Sequence, residues 1–229
     1  DTAVIQVNAL PSIFVDGTEA VALNGQGGND QLAYETPSSN NDGLSTLIRF
    51  TPGTQADSAL IEGATRSGVG TVALVPFTYQ NLGGNGSLAF TNQAAGVGIS
   101  ARVDALEFRG TELDDQILLD ALGRLIIADP LATVGRSLFT STTGINELSL
   151  EGMAGSDLFL VAGTDGVNNL PFAAVAVRGG GGAADRLVAN SPLTPVTVDL
   201  ASQTVTGFSS PIFYNDLVGI DSDAGGRQI

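Results

Sequence analysis

The sequence predicts an all-β protein, and specifically a parallel β-solenoid with Gly/Asp-rich turns; a β-sandwich is the alternative. Three observations lead to this prediction. Short apolar segments alternate with clusters of Gly, Asn, Asp and Ser, and Gly alone supplies 30 of the 229 residues. Segments with the length and periodicity of a helix are nearly absent. A glycine/aspartate turn pattern recurs in four places, as is typical of stacked repeats.

The predicted strands are short, β-branched or alternating segments, most of them three to seven residues long. They lie at residues 3–7, 19–23, 45–50, 70–75, 86–90, 97–103, 118–128, 148–150, 159–161, 173–177, 195–200 and 203–208. Residues 115–122 would also allow a turn or two of helix, but their Leu, Ile and Asp alternation fits a strand equally well. Many short strands with Gly-rich turns indicate a sandwich, a barrel or a solenoid.

The repeated turn favours the solenoid among these architectures. Each copy has an apolar strand that ends in Gly, a turn that ends in Asp, and an apolar residue soon afterwards. The four aspartates are Asp30, Asp115, Asp157 and Asp185, separated by 85, 42 and 28 residues, which are close to multiples of 14. A coil of roughly 21 or roughly 28 residues fits these intervals, and both lengths occur in solenoids. Gly supplies positive φ in such a turn, and Asp accepts bonds from turn amides.

The pattern resembles a degenerate form of the RTX, or haemolysin-type calcium-binding, repeat G-G-x-G-x-D-x-U-x. The resemblance is strongest near the end of the chain, in the segments GGGAADRL at 180–187, VTVDLASQTVTG at 196–207 and NDLVGI at 215–220. It implies a β-solenoid like those of large secreted bacterial surface proteins. We expect one all-β repeat domain over residues 1–229, with a subdivision near residue 104 into an N-terminal part, 1–103, and more regular RTX-like coils, 104–229.

The resemblance also implies candidate calcium ligands, because in RTX repeats the carboxylates and turn carbonyls of neighbouring coils enclose each Ca²⁺. The candidates are Asn29, Asp30, Asp114, Asp115, Asp157 and Asp185. Here the motifs are isolated along the chain, and the second glycine of the repeat is replaced by Gln26, Thr111 or Met153. A calcium ion prefers six to eight oxygens. The alternative interpretation is that each aspartate is a turn residue whose carboxylate binds backbone amides.

Three charged residues occupy the position just before the turn glycine. They are Arg109, Glu151 and Arg178. If the coils stack in register, these residues form a column of alternating charge with ion pairs between coils. Each such surface pair contributes only about 0–1 kcal/mol.

The composition excludes most reactive chemistry. The chain has no His, Cys, Lys or Trp, so it lacks an imidazole base, a thiol nucleophile and a Schiff-base lysine. Its net charge of −15, without any basic cluster, argues against nucleic acid and anionic membranes as partners. No apolar run approaches the roughly 20 residues of a membrane-spanning helix, so we expect no membrane insertion.

Together with the RTX resemblance, these observations predict a non-enzymatic structural protein, secreted or displayed on a bacterial cell surface. Low charge density and a mean hydropathy of +0.23 indicate that apolar surface remains for a partner. We therefore expect a homo-oligomer or polymer, a filament or surface array, joined through the solenoid ends and terminal strands, with calcium as a candidate stabilising ion. One alternative is a calcium-dependent adhesion or glycan-binding module with a cell-surface polysaccharide as its partner. A second is a polysaccharide-cleaving β-helix enzyme using Asp114 and Asp115, although adjacent strand residues face opposite sides.

Overall fold

The regular structure of the protein consists of β-strands. The computed structural model describes residues 2–5, 13–26, 28–36, 45–53, 58–67, 70–82, 87–92, 104–128, 139–142, 145–163, 170–191 and 194–223. Within these ranges no helix occurs. The all-β class predicted from the short alternating segments is therefore confirmed.

The described residues form twenty-one strands. They are β1 (Thr2–Ile5), β2 (Ile13–Asp16), β3 (Val21–Asn24), β4 (Gln31–Thr36), β5 (Ser45–Pro52), β6 (Ala59–Ser67), β7 (Gly70–Ala73), β8 (Phe77–Gln80), β9 (Ser87–Asn92), β10 (Ala105–Arg109), β11 (Gln116–Asp120), β12 (Leu125–Ala128), β13 (Phe139–Ser141), β14 (Glu147–Glu151), β15 (Leu158–Ala162), β16 (Ala174–Arg178), β17 (Arg186–Asn190), β18 (Thr197–Asp199), β19 (Thr204–Thr206), β20 (Ile212–Asn215) and β21 (Gly219–Asp223).

The strands form two large sheets and one separate hairpin. The first sheet has the order β18-β19-β20-β16-β14-β10-β5-β6-β8-β3, with β7 added beside β6. The second sheet has the order β21-β17-β15-β11-β12-β13-β9-β4. Strands β1 and β2 pair antiparallel with each other as a two-stranded sheet.

Both large sheets are built from six strand–turn–strand units, each with its first strand in the first sheet and its second strand in the second sheet. In chain order these units 1 to 6 are β3–β4, β8–β9, β10–β11, β14–β15, β16–β17 and β20–β21. Units 1 and 2 stack on each other with parallel strands. Units 3 to 6 stack in the same way, strand on strand.

Two additional strands per sheet separate unit 2 from unit 3. In the first sheet β8 pairs antiparallel with β6, β6 antiparallel with β5, and β5 parallel with β10. In the second sheet β9 pairs parallel with β13, β13 antiparallel with β12, and β12 antiparallel with β11. Each insertion contains two antiparallel interfaces, so the strands of all six units run in one direction within each sheet.

One hydrophobic core joins the inward-facing residues of both sheets. Alternate residues point inward in each strand, as in β10, where Leu106 and Phe108 are buried between more exposed neighbours. Phe108 stacks face to face on Phe50 with 4.6 Å between ring centroids, and Phe90 contacts Phe50 edge-on. Phe50 and Phe90 come from different sheets, so these three rings connect the two faces of the core.

One predicted strand is wrong in its extent. Residues 118–128 were expected to form a continuous strand, but they contain the end of β11, a tight turn at 121–124 and all of β12. Gly123 has a φ of +73°, and one carboxylate oxygen of Asp120 accepts the amides of Leu122 and Arg124 at 2.9 Å each. The turn therefore depends on Asp120 and Gly123. The apolar residues on both sides of the turn give the segment the sequence pattern of one continuous strand. The predicted strand at 97–103 lies outside the described residues.

Candidate functional site: the aspartate turns and the sheet edges

The turns of units 3, 4 and 5 place three of the predicted aspartates in one line. Asp115, Asp157 and Asp185 end these turns and are at most 1% exposed. The backbone amide of Asp115 donates to Oδ1 of Asp157 at 2.9 Å, and the amide of Asp157 donates to Oδ1 of Asp185 at 2.8 Å. We call these three residues the aspartate column. Each link joins one unit to the next, so the column ties neighbouring turns together.

The second carboxylate oxygens of the column have different surroundings. Oδ2 of Asp115 accepts the backbone amide and the hydroxyl of Thr111 within its own turn. Oδ2 of Asp157 and Oδ2 of Asp185 are buried and accept no hydrogen bond. Burial, together with the neighbouring carboxylates, raises the pKa of Asp157 to about 7 against the lowering effect of the bond from the Asp115 amide. The column therefore places carboxyl groups in a poorly solvated position.

The glycine that opens each turn makes room for the carboxylate that closes it. A Cβ placed on Gly110 would lie 2.7 Å from Oδ2 of Asp115 and 2.8 Å from the carbonyl oxygen of Gly152 in the next unit. Gly152 and Gly179 meet the same two kinds of neighbour in their own turns. The glycine in the Gly…Asp pattern is thus required because both the aspartate carboxylate and the backbone of the adjacent turn lie close to its Cα.

The residue after the turn glycine adopts the left-handed conformation in several units. Gln26 and Met153 have φ values of 59° and 76°, and Gly180 has a φ of 93°. At this position the RTX repeat that the sequence resembles carries its second glycine. Side-chain-bearing residues are uncommon in this region of φ, so the conformational requirement persists although the glycine is replaced.

The remaining candidate ligands lie at the surface beside the column or in the turn of unit 1. Asp114 is exposed, and its Oδ1 accepts the amide of Ser156 at 2.7 Å. Asn29 is exposed, and Asp30 closes the turn of unit 1, with its amide donating to the carbonyl oxygen of Leu82 at 2.8 Å. Unit 1 stacks on unit 2, and the inserted strands lie between them and the column. Four of the six predicted residues therefore lie near one another, and Asn29 and Asp30 lie elsewhere.

The described oxygens fit a role as amide acceptors. One oxygen of Asp157 and one of Asp185 accept a backbone amide, and Asp114 does the same at the surface. Six to eight oxygens are needed around a calcium ion. Among the described residues, no group of three or more His, Cys, Asp or Glu side chains is arranged to hold a metal. The calcium ligands stay a prediction.

A fourth buried aspartate, which is not among the candidates predicted from the sequence, links units at the opposite end of the strands. Asp104 is fully buried just before β10, and its Oδ1 accepts the amide of Thr46 at 2.9 Å. Its own amide donates to Oδ1 of Asn146, and its carbonyl oxygen accepts the amides of Asn146 and Glu147. Asp104 and Asn146 are 42 residues apart, as are Asp115 and Asp157. The shared interval is the sequence signal that could have identified this pair.

The predicted charged column lies on the outer face of the first sheet. Arg109, Glu151 and Arg178 are cross-strand neighbours, as the register prediction required. Arg178 forms an ion pair with Glu151, whereas Arg109 pairs with Glu107 of its own strand, which also binds Arg49. Burial tends to raise the pKa of Glu107, but the bonds from the two arginines outweigh it and hold that pKa below its ordinary value.

Both large sheets end in edge strands that have one described neighbour each. At one end the edges are β3 and β4, the two strands of unit 1. At the other end the edges are β18 in the first sheet and β21 in the second. Two large apolar side chains are exposed near this second end, Leu200 at 76% and Val218 at 70%. Unpaired edges with apolar neighbours are suited to pairing with another chain.

No helix in the described part of the chain is long and apolar enough to cross a membrane. Comparison with models of protein families, with curated protein sequences and with solved structures gave no match to this chain.

Proposed function

We propose that this chain is a non-enzymatic structural protein of the bacterial exterior, an RTX-like parallel β-solenoid whose copies join end to end into a filament or surface array. The observation that carries the proposal is the direction of the edge strands. The strands of units 1 to 6 run the same way in each sheet, and β18 is related to β20 by two antiparallel interfaces. Thus β3 and β18 have one direction, and so have β4 and β21.

This common direction allows the strands of one copy to continue into those of the next without reversal. Neighbouring strands of a sheet lie about 4.8 Å apart, and an unpaired edge exposes backbone amides and carbonyls that a second edge can satisfy. The two ends are different surfaces, so contact between them is head to tail. A head-to-tail contact that does not close into a ring generates a filament.

The proposal is tested by measuring the molar mass of the purified chain by light scattering across a concentration series, with negative-stain imaging of the same samples. We expect mass to rise with concentration and linear particles to appear. A single monomeric species at all concentrations, with and without millimolar calcium, would contradict end-to-end assembly.

A calcium-stabilised adhesion module is the second candidate, supported by the buried Oδ2 atoms of Asp157 and Asp185, which accept no hydrogen bond. A cation beside them would offset their poor solvation. In this case calcium raises the melting temperature of the parent chain, and the rise is lost in Asp157→Asn. An unchanged melting temperature in millimolar calcium argues against the second candidate and leaves end-to-end assembly standing.

A further inference from the structure

The two large sheets contain unequal numbers of described strands. The first sheet has ten strands in line, whereas the second sheet has eight. The insertion between units 2 and 3 is balanced, because it adds two strands to each sheet. The whole difference therefore lies beyond unit 6, where β19 and β18 extend the first sheet past β20 and no described strand extends the second past β21. This leaves a step two strands deep, about 10 Å, beside β21.

The β1–β2 hairpin has two strands, the number that would fill the step beside β21. It pairs only with itself among the described strands. Four residues, 17–20, connect the end of β2 to the start of β3 in the first sheet. Strand β13 of the second sheet is followed, after five residues, by β14 of the first sheet. A hairpin added to the second sheet with a connection of this kind would have β2 running in the direction of β13, which is also the direction of β4 and β21.

We propose that the β1–β2 hairpin of one copy fills the step beside β21 of the preceding copy, so that end-to-end assembly proceeds by hairpin donation. In the second sheet of the assembly, β21 of one copy pairs parallel with β2 of the next, and β1 forms a new antiparallel pair with β4 of its own copy. In the first sheet, β18 pairs parallel with β3 of the next copy. This inference rests on the proposed function and names the segment that makes the contact.

The junction so formed repeats a junction already present inside the chain. Going from unit 2 to unit 3, the strand pairs of the second sheet are parallel, antiparallel and antiparallel. In the first sheet they are antiparallel, antiparallel and parallel. Going from unit 6 of one copy to unit 1 of the next, the proposed contact gives the same order of parallel and antiparallel pairs in each sheet. Unit 6 of one copy and unit 1 of the next are then separated by two strands in each sheet, as units 2 and 3 are.

Charge favours the hairpin over direct contact between β21 and β4. Strand β21 carries Asp221 and Asp223, and β4 carries Glu35, so direct pairing would bring acidic strands together. Like charges opposite each other destabilise a strand pair. The hairpin sequences TAVI and IFVD contain one acidic residue, Asp16, and otherwise apolar or hydroxyl residues. With the hairpin inserted, the acidic strands are three strand spacings apart, about 14 Å, which is more than the screening length of about 10 Å at 0.1 M salt.

The first experiment is disulfide crosslinking in the full chain, which has no native cysteine. Asp221→Cys is combined either with Phe14→Cys or with Val15→Cys. Paired strands bring Cα atoms within the 4.4–6.8 Å range of a disulfide. Neighbouring residues of a strand face opposite sides, so one double variant presents both thiols on one face and the other is its matched control.

We expect a ladder of covalent dimers, trimers and longer chains from one double variant, at least tenfold more abundant than from the other. Equal crosslinking by both, or no crosslinking by either in samples that assemble, would overturn hairpin donation.

The second experiment blocks the open edge of β21. The amide of Gly219 donates to the carbonyl oxygen of Asp185 at 3.3 Å, so alternation turns the amide of Ser222 away from β17. Ser222→Pro removes this outward donor without removing a bond to β17, and Ser222→Ala is the control. We expect the proline variant to stay monomeric at concentrations where the parent and the alanine variant assemble, with monomer melting temperatures that agree within a few degrees.

A synthetic peptide of residues 1–17 separates this inference from the proposed function. If Ser222→Pro assembles like the parent, end-to-end assembly stands and hairpin donation is wrong. If the parent stays monomeric but binds the peptide, and Ser222→Pro does not bind it, the hairpin site stands and the proposed filament is wrong. A monomeric parent that does not bind the peptide overturns both.

Discussion

Replacing Asp157 tests whether the aspartate column stabilises the fold by accepting backbone amides. In Asp157→Ala the buried amide of Asp115 loses the oxygen that it contacts at 2.9 Å. A buried donor left without an acceptor costs about 1–3 kcal/mol. For a chain of this size, about 2–4 °C of melting temperature corresponds to each kcal/mol, so we expect a fall of roughly 2–12 °C. Asp157→Asn keeps an oxygen acceptor in the same place and should lose less than half as much.

The assay is thermal unfolding followed by circular dichroism, with urea unfolding at 25 °C as an independent measure of the free energy. Both variants are compared with the parent at pH 8 in the presence of a calcium chelator, so that metal binding does not contribute. Equal losses for Asp157→Ala and Asp157→Asn would refute the amide-acceptor role. A parent that unfolds in chelator alone would show that a cation, and not the amide, is the partner that matters.

Three further predictions concern individual positions. The fold favours the protonated form of Asp157, because its pKa is raised from 3.8 to about 7. The contribution of this residue to the free energy of unfolding should therefore be largest below pH 4, decrease as the pH rises towards 7, and stay constant above pH 7. Urea unfolding of the parent and Asp157→Asn at pH 5 and pH 8 measures this, and a parent-to-variant difference that is the same at both pH values contradicts it. Met153 has a φ of 76°, so Met153→Gly should raise the free energy of unfolding by up to about 1 kcal/mol, whereas Met153→Val should lower it by about 1–3 kcal/mol. Equal urea midpoints for the two variants would contradict the argument from backbone conformation. Asp104→Ala should destabilise by about 1–3 kcal/mol by leaving the Thr46 amide without its acceptor, whereas Asp104→Asn should lose less, and equal midpoints would count against this role.

The sequence predicted the turns well because their chemistry is local. Each Gly…Asp turn needs a glycine where a Cβ would collide and an aspartate where amides converge, and both requirements are visible in single residue types. The intervals of 42 and 28 residues between Asp115, Asp157 and Asp185 match the spacing of units that stack on each other. The register of Arg109, Glu151 and Arg178 followed from the same alignment.

The insertion between units 2 and 3 could not be predicted in this way. Strands β5 and β6 pair over eight residues with no turn motif resembling the others, and their partners are chosen by long-range packing around Phe50. For this reason the sequence predicts that the interval of 85 residues between Asp30 and Asp115 is a multiple of the coil, whereas in the structure the inserted strands separate their units. The step beside β21 is likewise a property of the strand count in each sheet, which no local pattern records.

Cryo-electron microscopy of the assembled chain tests the central claim, end-to-end continuation of both sheets, most directly. Ten strands in the first sheet, and eight plus the hairpin in the second, predict an axial repeat of about 48 Å at the usual strand spacing. We expect linear particles with this repeat and with continuous sheet density through each junction, including two strands beside β21. Particles that touch through the faces of the sheets, or monomers alone at tens of micromolar, would contradict the account.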